Sequence, residues 1–243
     1  MPAHPDLIAH TAQFTKTIHQ LAPNVYSAVG YAASNVHLLV GDTGVVVIDT
    51  TESTQASENI LTDFQAHSTL PVTTIIYTHS HRDHISGASV FARGRDVEVI
   101  SSDNFTSDLV GVDTTRPAPN AALMARTKRQ FGISLPDTER VSLGLGPGDR
   151  PMKGMGAGHL EPTLRIADTT HITRQGFDLE LAKAPGETPD HLVVWWAHKR
   201  ILFSGDNFYH AFPNLYAIRG TPYRDFDAWA DTMDQLMAYQ PAI

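Results

Sequence analysis

The sequence predicts an α/β fold in which helices cover layered β-sheets, and two observations lead to that prediction. Short runs of β-branched and aliphatic residues alternate with segments of helical periodicity, which is typical of helices packed on sheets. The strand-like runs fall into two β-rich halves with helical segments between them. A chain of 243 residues can bury a substantial core. We therefore predict one domain over residues 1–243.

The N-terminal half is expected to begin with a helix and to continue with strands. Loosely helical spacing of apolar residues over 7–20 predicts a helical lead-in that spans residues 1–22. The runs 36–40 and 45–48 are predicted strands, and the Gly-Asp-Thr-Gly segment between them is typical of a hairpin turn. Ser53 is a candidate cap for the helix that follows.

The elements after this helix are predicted from the same two patterns. We expect, in chain order, a buried strand over 72–77, a histidine-rich loop, a helix over 85–91, a strand over 97–100 and a mostly helical region over 104–135. A stretch rich in glycine and proline over 144–158 predicts a long surface loop. Further strands are predicted over 164–166, 177–181, 192–196 and 201–203, followed by an amphipathic helix over 228–237.

Composition excludes several classes of function. Lys and Arg number 18 against 26 Asp and Glu, and the formal net charge of −8 disfavours binding to nucleic acid or anionic membranes. Cysteine is absent, so any metal site must use His, Asp or Glu. No apolar run approaches the roughly 20 residues of a membrane helix, and no signal-peptide pattern is visible. We expect a soluble protein, with the cytoplasm as its expected compartment.

The strongest chemical signal is the segment Thr-His-Ser-His-Arg-Asp-His over 78–84, directly after an apolar strand. His79 and His81 are two residues apart on a loop and can face one metal ion, while Asp83 and His84 can serve a second. Three His and one Asp within six residues are improbable as incidental polar residues of a loop.

This His-x-His-x-Asp-His pattern after a strand resembles the metallo-β-lactamase superfamily. The resemblance implies an αββα sandwich with the metals at one edge of the two sheets, two zinc ions as cofactors, and the ligands His79, His81, Asp83 and His84. Asp49, at the end of the strand before the Ser53 helix, resembles an acid that this superfamily places near the metals. A role for Asp49 in a turn or a helix cap is equally open.

The third ligand of the first metal departs from the common superfamily pattern. Most members use a His in a Gly-His-Thr-Pro-Gly-His loop, whereas the matching loop here carries Glu187 at the ligand position. A carboxylate is an acceptable zinc ligand, but it leaves the metal less positive than a neutral imidazole would. Asp206 resembles the carboxylate that bridges the two metals. His191, at the end of the loop, is interpreted as structural or exposed rather than as a ligand.

Glu187, Asp206 and the segment 214–220 together closely resemble the alkyl sulfatases of this superfamily, which hydrolyse alkyl sulfate esters such as detergents. The resemblance implies a zinc-dependent sulfuric ester hydrolase with a small alkyl sulfate as its substrate. It extends to residues 25–30 and 77–88. Alkyl sulfatases usually carry Glu at the bridging position, so Asp206 is a departure that can alter the spacing between the metals.

The same resemblance indicates residues for the substrate. Arg219 is the expected sulfate clamp, because a guanidinium offers a planar fork of donors that matches sulfate oxygens. Asp83 and Arg219 are the predicted catalytic residues. Asn214, Tyr209 and His210 are candidates for further contacts to the sulfate, although polar loop residues are often only solvated.

One part that the resemblance implies is missing from the sequence. The superfamily takes a further His for the second metal from a strand after a helix like that at 228–237, and the sequence ends at Ile243. Alkyl sulfatases also continue into a dimerisation domain and a sterol-carrier-like domain, which these residues do not include. We therefore expect a catalytic domain that is truncated at its C-terminus.

Two other interpretations stay open. The chain can be a different binuclear hydrolase on the same fold, such as a lactonase, thioesterase or phosphodiesterase, although Glu187 and Arg219 count against it. It can also be a metal-binding fragment without turnover. The sequence leaves open the preferred alkyl chain, the choice between C–O and S–O cleavage, and the oligomeric state.

Overall fold

The computed structural model describes residues 2–106, 121–143, 146, 153–215 and 224–243, with the side chains of 121–124 excepted. The helices are α1 (Pro5–Thr11), α2 (Thr54–Phe64), α3 (Arg82–Ile85), α4 (Ala88–Ala92), α5 (Ala121–Gln130) and α6 (Phe226–Ala238), with 3₁₀ turns at Ala12–Phe14 and Gly205–Asn207. The strands are β1 (Thr17–Ala22), β2 (Val25–Val29), β3 (Val36–Val40), β4 (Val45–Ile48), β5 (Val72–Ile76), β6 (Glu98–Ser102), β7 (Leu164–Ile166), β8 (Thr170–Arg174), β9 (Phe177–Lys183), β10 (Leu192–Trp196) and β11 (Ile201–Phe203).

These strands form two sheets. The larger sheet has the order β1-β2-β3-β4-β5-β6-β7, and its strands are antiparallel from β1 to β4 and parallel from β4 to β7. The smaller sheet has the order β11-β10-β9-β8 and is antiparallel throughout. The parallel pairing of β4 with β5 is the feature that later places the functional residues, because the carboxyl ends of both strands meet at one edge of the sheet.

The main core lies between the two sheets. Leu39, Ile48, Ile76 and Ile100 of the larger sheet are fully buried and belong to one apolar cluster with residues of the smaller sheet. The residues that the smaller sheet contributes include Leu179, Leu181, Leu192, Val194, Ile201 and Phe203. All four residues of β4 are buried because both faces of the larger sheet are covered.

Helices cover the outer faces of both sheets. Ile60 and Phe64 of α2 and Phe91 of α4 pack on the larger sheet. On the smaller sheet, Leu236 of α6 packs against Val193 and neighbouring alanines. The layers are therefore helix, sheet, sheet and helix, and the αββα sandwich expected from the sequence is confirmed. Within the described residues, no helix has the length and apolar character needed to cross a membrane.

Several local predictions are also confirmed. β3 and β4 form the predicted hairpin, and the Ser53 hydroxyl accepts a hydrogen bond from the Ala56 backbone N–H at 3.1 Å as the cap of α2. α6 begins two residues earlier and ends one residue later than expected. The predicted helix over 85–91 is instead two short helices, since the chain turns at Gly87, where a Cβ atom would lie 2.1 Å from the Thr50 carbonyl oxygen.

Other predictions were wrong or lie elsewhere. The helical lead-in over 1–22 is wrong beyond residue 14, because Thr17–Ala22 form β1 and pair with β2. β-branched residues such as Ile18 favour this strand once a partner is present. β8 was not predicted. In the region over 104–135 that was predicted to be mostly helical, the structure describes the helix α5, and residues 107–120 lie outside the described residues. Residues 144–145 and 147–152 of the predicted surface loop also lie outside them.

The core between the sheets yields a stability test. We expect Ile100→Ala to lower the free energy of unfolding by about 2–5 kcal/mol, because it removes buried methylene groups and leaves a cavity. The matched control is Ile8→Ala, at an exposed position of α1, with an expected change within about 0.5 kcal/mol. Urea denaturation followed by circular dichroism measures both. Equal destabilisation by the two substitutions would contradict the assigned core.

Candidate metal centre

The predicted ligands converge at the edge of the sandwich where β4 and β5 end. His79, His81 and His84 follow β5 in a loop and in α3. Glu187 lies in the connection between β9 and β10, and Asp206 lies in the 3₁₀ turn after β11. Two sheets thus contribute to one cluster, although Asp206 lies 127 positions after His79 in the sequence, counted as 206 − 79.

Burial divides the cluster into a floor and a rim. The floor consists of His79, His84 and Glu187, whose side chains are 0, 3 and 6% exposed. The rim consists of His81, Asp83 and Asp206, with 34, 36 and 33% exposure. A molecule from solvent therefore reaches the cluster from the side of the rim.

The donor atoms form two groups that can each hold a metal ion. One group is His79, His81 and Glu187, and the other is His79, His84 and Asp206, with all donor atoms of a group within 4.8 Å of one another. Asp83 is not in either group, although its Oδ2 atom lies 3.6 Å from His84 Nε2. His79 appears in both groups, so they are adjacent, but its one free ring nitrogen, Nε2, can bind only one ion at a time.

The spacing of the donors fits tetrahedral zinc. Two ligands with bonds of 2.0–2.1 Å are about 3.3 Å apart in a tetrahedral site. Glu187 Oε2 lies 2.9 Å from His81 Nδ1 and 3.7 Å from His79 Nε2, and His84 Nε2 lies 3.3 Å from Asp206 Oδ1. These separations bracket the ideal value.

Unpartnered polar atoms provide a second test of fit. His79 Nε2, His84 Nε2 and Glu187 Oε2 are buried, and none of the three has a hydrogen-bond partner. A buried polar atom without a partner costs about 1–3 kcal/mol, and metal ions held by the two donor groups would satisfy these atoms. The residues present therefore fit a metal ion of the zinc type.

The Asp49 carboxylate orients two of the histidines. It accepts hydrogen bonds from the Thr78 backbone N–H and hydroxyl, both at 2.8 Å, and from His84 Nδ1 at 2.7 Å. Because the Thr78 hydroxyl donates to Asp49, its oxygen accepts from His79 Nδ1 at 3.0 Å. Both imidazoles thus carry a proton on Nδ1 and direct Nε2 at the cluster. Of the two interpretations of Asp49, the geometry favours the acid beside the site.

The carboxylates around His84 favour a positive charge at this histidine. Burial alone would lower the pKa of His84, but the carboxylates of Asp206, Asp49 and Asp83 hold it well above its usual value. Burial opposes ionisation of Asp206, yet the positive charge of the neighbouring His84 lowers the Asp206 pKa to about 2. These carboxylates therefore favour a cation between them, whether a protonated imidazole or a metal ion.

His191 lies in direct contact with the donor cluster, which its position at the end of the Glu187 loop did not predict. Its side chain is fully buried, and its Nε2 atom accepts a hydrogen bond from the Asp206 backbone N–H at 3.2 Å. Its ring stacks on His79, with centroids 4.7 Å apart and planes 17° apart. Burial lowers the pKa of His191 to about 4, which keeps the imidazole neutral. The interpretation as a structural residue agrees with this geometry, and an exposed position does not.

Two contacts of Glu187 were not foreseen from the sequence. The Asn207 side chain accepts a hydrogen bond from the Glu187 backbone N–H at 3.0 Å and donates to the Ala184 carbonyl oxygen at 2.6 Å. The Arg224 guanidinium forms an ion pair with Glu187 Oε1. Asn207 could have been predicted as a site residue, because it directly follows Asp206 in the sequence. No local pattern in the sequence indicates that Arg224 contacts Glu187.

The predicted substrate residues have different outcomes. The Tyr209 hydroxyl accepts a hydrogen bond from the Asn214 backbone N–H at 2.7 Å, so these two residues share one loop beside Asp206. His210 is exposed on the same loop. Arg219, the predicted sulfate clamp, lies outside the described residues.

Comparison with known proteins identifies a family for most of this chain. The profile of the metallo-beta-lactamase superfamily matches residues 29–241. A linear primary-alkylsulfatase of Pseudomonas sp. (strain ATCC 19151) is 29% identical over 203 residues, which cover 81% of this chain and 38% of that protein. The alkyl/aryl-sulfatase BDS1 of Saccharomyces cerevisiae is 30% identical over 225 residues, which cover 89% of this chain and 34% of that protein.

Solved structures agree on the fold. The stereoselective inverting sec-alkylsulfatase Pisa1 from Pseudomonas sp. superimposes with a TM-score of 0.79 at 24% identity, over 98% of this chain and 38% of that one. This chain thus spans less than two fifths of the length of each of these three relatives. Because the profile match extends over most of the sandwich and includes every residue of the donor cluster, the chain belongs to the metallo-beta-lactamase superfamily.

Proposed function

We propose that this chain hydrolyses alkyl sulfate esters to the alcohol and inorganic sulfate at a binuclear zinc site. The observation that carries the proposal is the pair of adjacent donor groups that share His79 and include Glu187, in a chain similar to proteins named alkylsulfatases. In the reaction, one water molecule is consumed, the ester is cleaved at its C–O or its S–O bond, and the products are the alcohol and hydrogen sulfate, which gives up its proton to solvent.

Zinc is proposed because of the chemistry of the donors. The two groups offer imidazole nitrogens and carboxylate oxygens, a mixture that suits zinc better than calcium or magnesium, which favour oxygen alone. Bound zinc ions supply a hydrolytic nucleophile near neutral pH and polarise the ester group. We propose that His79, His81 and Glu187 would hold the first ion and that Asp83 and His84 would hold the second, with Asp206 as a carboxylate available to both.

The chain's own residues are proposed to bind and orient the ester. Arg219 holds the sulfate group through charge-assisted hydrogen bonds, with Asn214 and Tyr209 beside it. Asp83, on the rim, is proposed as a catalytic carboxylate that accepts a proton at its Oδ atoms. Phe208 and Phe212 are exposed on the loop between Asp206 and Asn214 and offer apolar surface for the alkyl chain.

The metal site is tested by zinc content. We expect the metal-free chain to take up zinc, and His79→Ala to lose it at the first site, because His79 Nε2 is a donor there together with His81 and Glu187. His171→Ala is the matched control, since His171 is an exposed histidine on β8. Equilibrium dialysis with elemental analysis measures the stoichiometry. A wild-type chain that takes up no zinc, or an H79A variant that keeps all of it, would overturn the proposed site.

The reaction is tested by sulfate release from the zinc-loaded chain. We expect turnover of a medium-chain alkyl sulfate, and a loss of about 10–100-fold in kcat/KM for Arg219→Ala, since hydrogen bonds to charged groups contribute about 1.5–3 kcal/mol. Zinc content should be unchanged in R219A. Arg174→Ala, which breaks a surface ion pair with Glu98, is the control and should retain activity.

A substrate panel separates the alternatives. The same zinc-loaded chain is offered a lactone, a thioester and a phosphodiester under identical conditions. Turnover of one of these in place of all alkyl sulfates would reject the sulfatase proposal and retain a binuclear hydrolase. Zinc binding without turnover of any substrate would identify a metal-binding chain that is catalytically incomplete.

A further inference from the structure

The Glu187 carboxylate is shared between a buried guanidinium and the histidine donors. Its Oε1 atom is paired with Arg224 Nη2. Its Oε2 atom lies 2.9 Å from His81 Nδ1 and 3.7 Å from His79 Nε2. The two oxygens thus have separate partners, and the one that faces the donor group is held in place through the other.

Arg224 is itself fixed from several sides. Its Nη1 atom donates a hydrogen bond to the Asn214 carbonyl oxygen. Its guanidinium carbon lies 6.0 Å from the centre of the Trp229 ring, within range of a cation–π contact. The whole residue is buried to the same degree as Glu187. A charged group in such surroundings is costly unless it is paired, and the pairing here is with the carboxylate that faces the metal site.

These contacts argue against a role for Arg224 in gripping the substrate. Both terminal nitrogens already have oxygen acceptors within the protein, and the residue has almost no exposed surface. A sulfate group from solvent would therefore reach almost none of the guanidinium. The guanidinium acts on the cluster through Glu187 instead.

We propose that Arg224 is a positioning residue for Glu187, and that the two form one neutral unit which takes the place of a neutral imidazole at the third ligand position of the first metal. A carboxylate alone would add a negative charge to a cluster that already holds Asp83 and Asp206. The adjacent guanidinium cancels that charge. A bound ion would therefore experience the same net charge as in a site whose third ligand is a neutral imidazole. This inference rests on the proposed zinc site.

The proposal predicts a specific pattern of zinc affinities. Arg224→Met should weaken zinc binding at the first site about 10–100-fold, the range found when a group that orients a ligand is removed. Arg224→Lys keeps the positive charge and should recover part of that loss. Competition with a zinc-binding dye measures each dissociation constant, and the absorption spectrum of the cobalt-substituted protein reports the ligand geometry.

The sharpest test is a charge-matched double substitution. Glu187→His alone places a neutral ligand beside an unpaired buried guanidinium, and we expect weak zinc binding. The double variant Glu187→His with Arg224→Met is neutral at both positions, and we expect it to bind zinc at least about tenfold more tightly than E187H. This reversal, in which R224M is harmful alone and helpful beside E187H, is not expected from a purely structural arginine.

Controls separate the possible failures. Arg174→Met breaks the two-point contact of Arg174 with Glu98 on the surface, and it should leave zinc affinity unchanged. Wild-type protein that binds no zinc would overturn the proposed function. Wild-type protein that binds zinc while R224M binds it equally well, or an E187H/R224M variant no tighter than E187H, would overturn the role of Arg224 alone. If R224M does not fold, as judged by circular dichroism, the comparison of E187H with the double variant and R224K decides the matter.

Discussion

The buried carboxylate of Asp49 is the group on which the rest of the site depends. It accepts hydrogen bonds from Thr78 and His84, and through the Thr78 hydroxyl it also sets the tautomer of His79. These bonds form only because β4 and β5 are parallel neighbours whose carboxyl ends meet at one edge of the sheet. Asp49 occupies the left-handed region, with φ of 59°, so its backbone turns the chain at a conformation that most residues avoid. A side chain without hydrogen-bond acceptors at this position would remove the constraint on both histidine tautomers.

A second set of contacts joins the smaller sheet to this arrangement. The Asn207 side chain accepts a hydrogen bond from the Glu187 backbone N–H. The Trp229 indole of α6 donates a hydrogen bond to the Asn207 backbone carbonyl oxygen at 3.1 Å. His191 links Asp206 to His79 by one hydrogen bond and one ring contact. The helix, the two connecting loops and the 3₁₀ turn therefore hold the carboxylates from behind, while the rim stays open to solvent. Rigid support behind the ligands and access in front is the arrangement that catalysis at a metal centre requires.

In the proposed zinc site, Glu187 would take the place of a neutral ligand and add a negative charge, and Arg224 is the positively charged group beside it. Arg224 is buried beside it and is separated from it by 37 positions in the sequence, counted as 224 − 187. Charge compensation within an ion pair of this kind depends on the low exposure of both partners, since the same pair at the surface would be screened. The chemistry of the first site is therefore a property of a pair of residues rather than of the ligand alone.

The sequence by itself determined the sandwich and most of its strands, because buried strands are local patterns. The His-x-His-x-Asp-His segment marked four of the six predicted ligands, whereas Glu187 and Asp206 were predicted from a family resemblance. It could not determine β1, since loosely spaced apolar residues such as Ile18 and Leu21 favour a strand only when β2 is available for pairing. The roles of Asp49, His191 and Arg224 were decided by the tertiary structure. Each of the three acts through a contact with a residue that is distant in sequence. Such contacts form only when the chain folds, so no local sequence pattern predicts them.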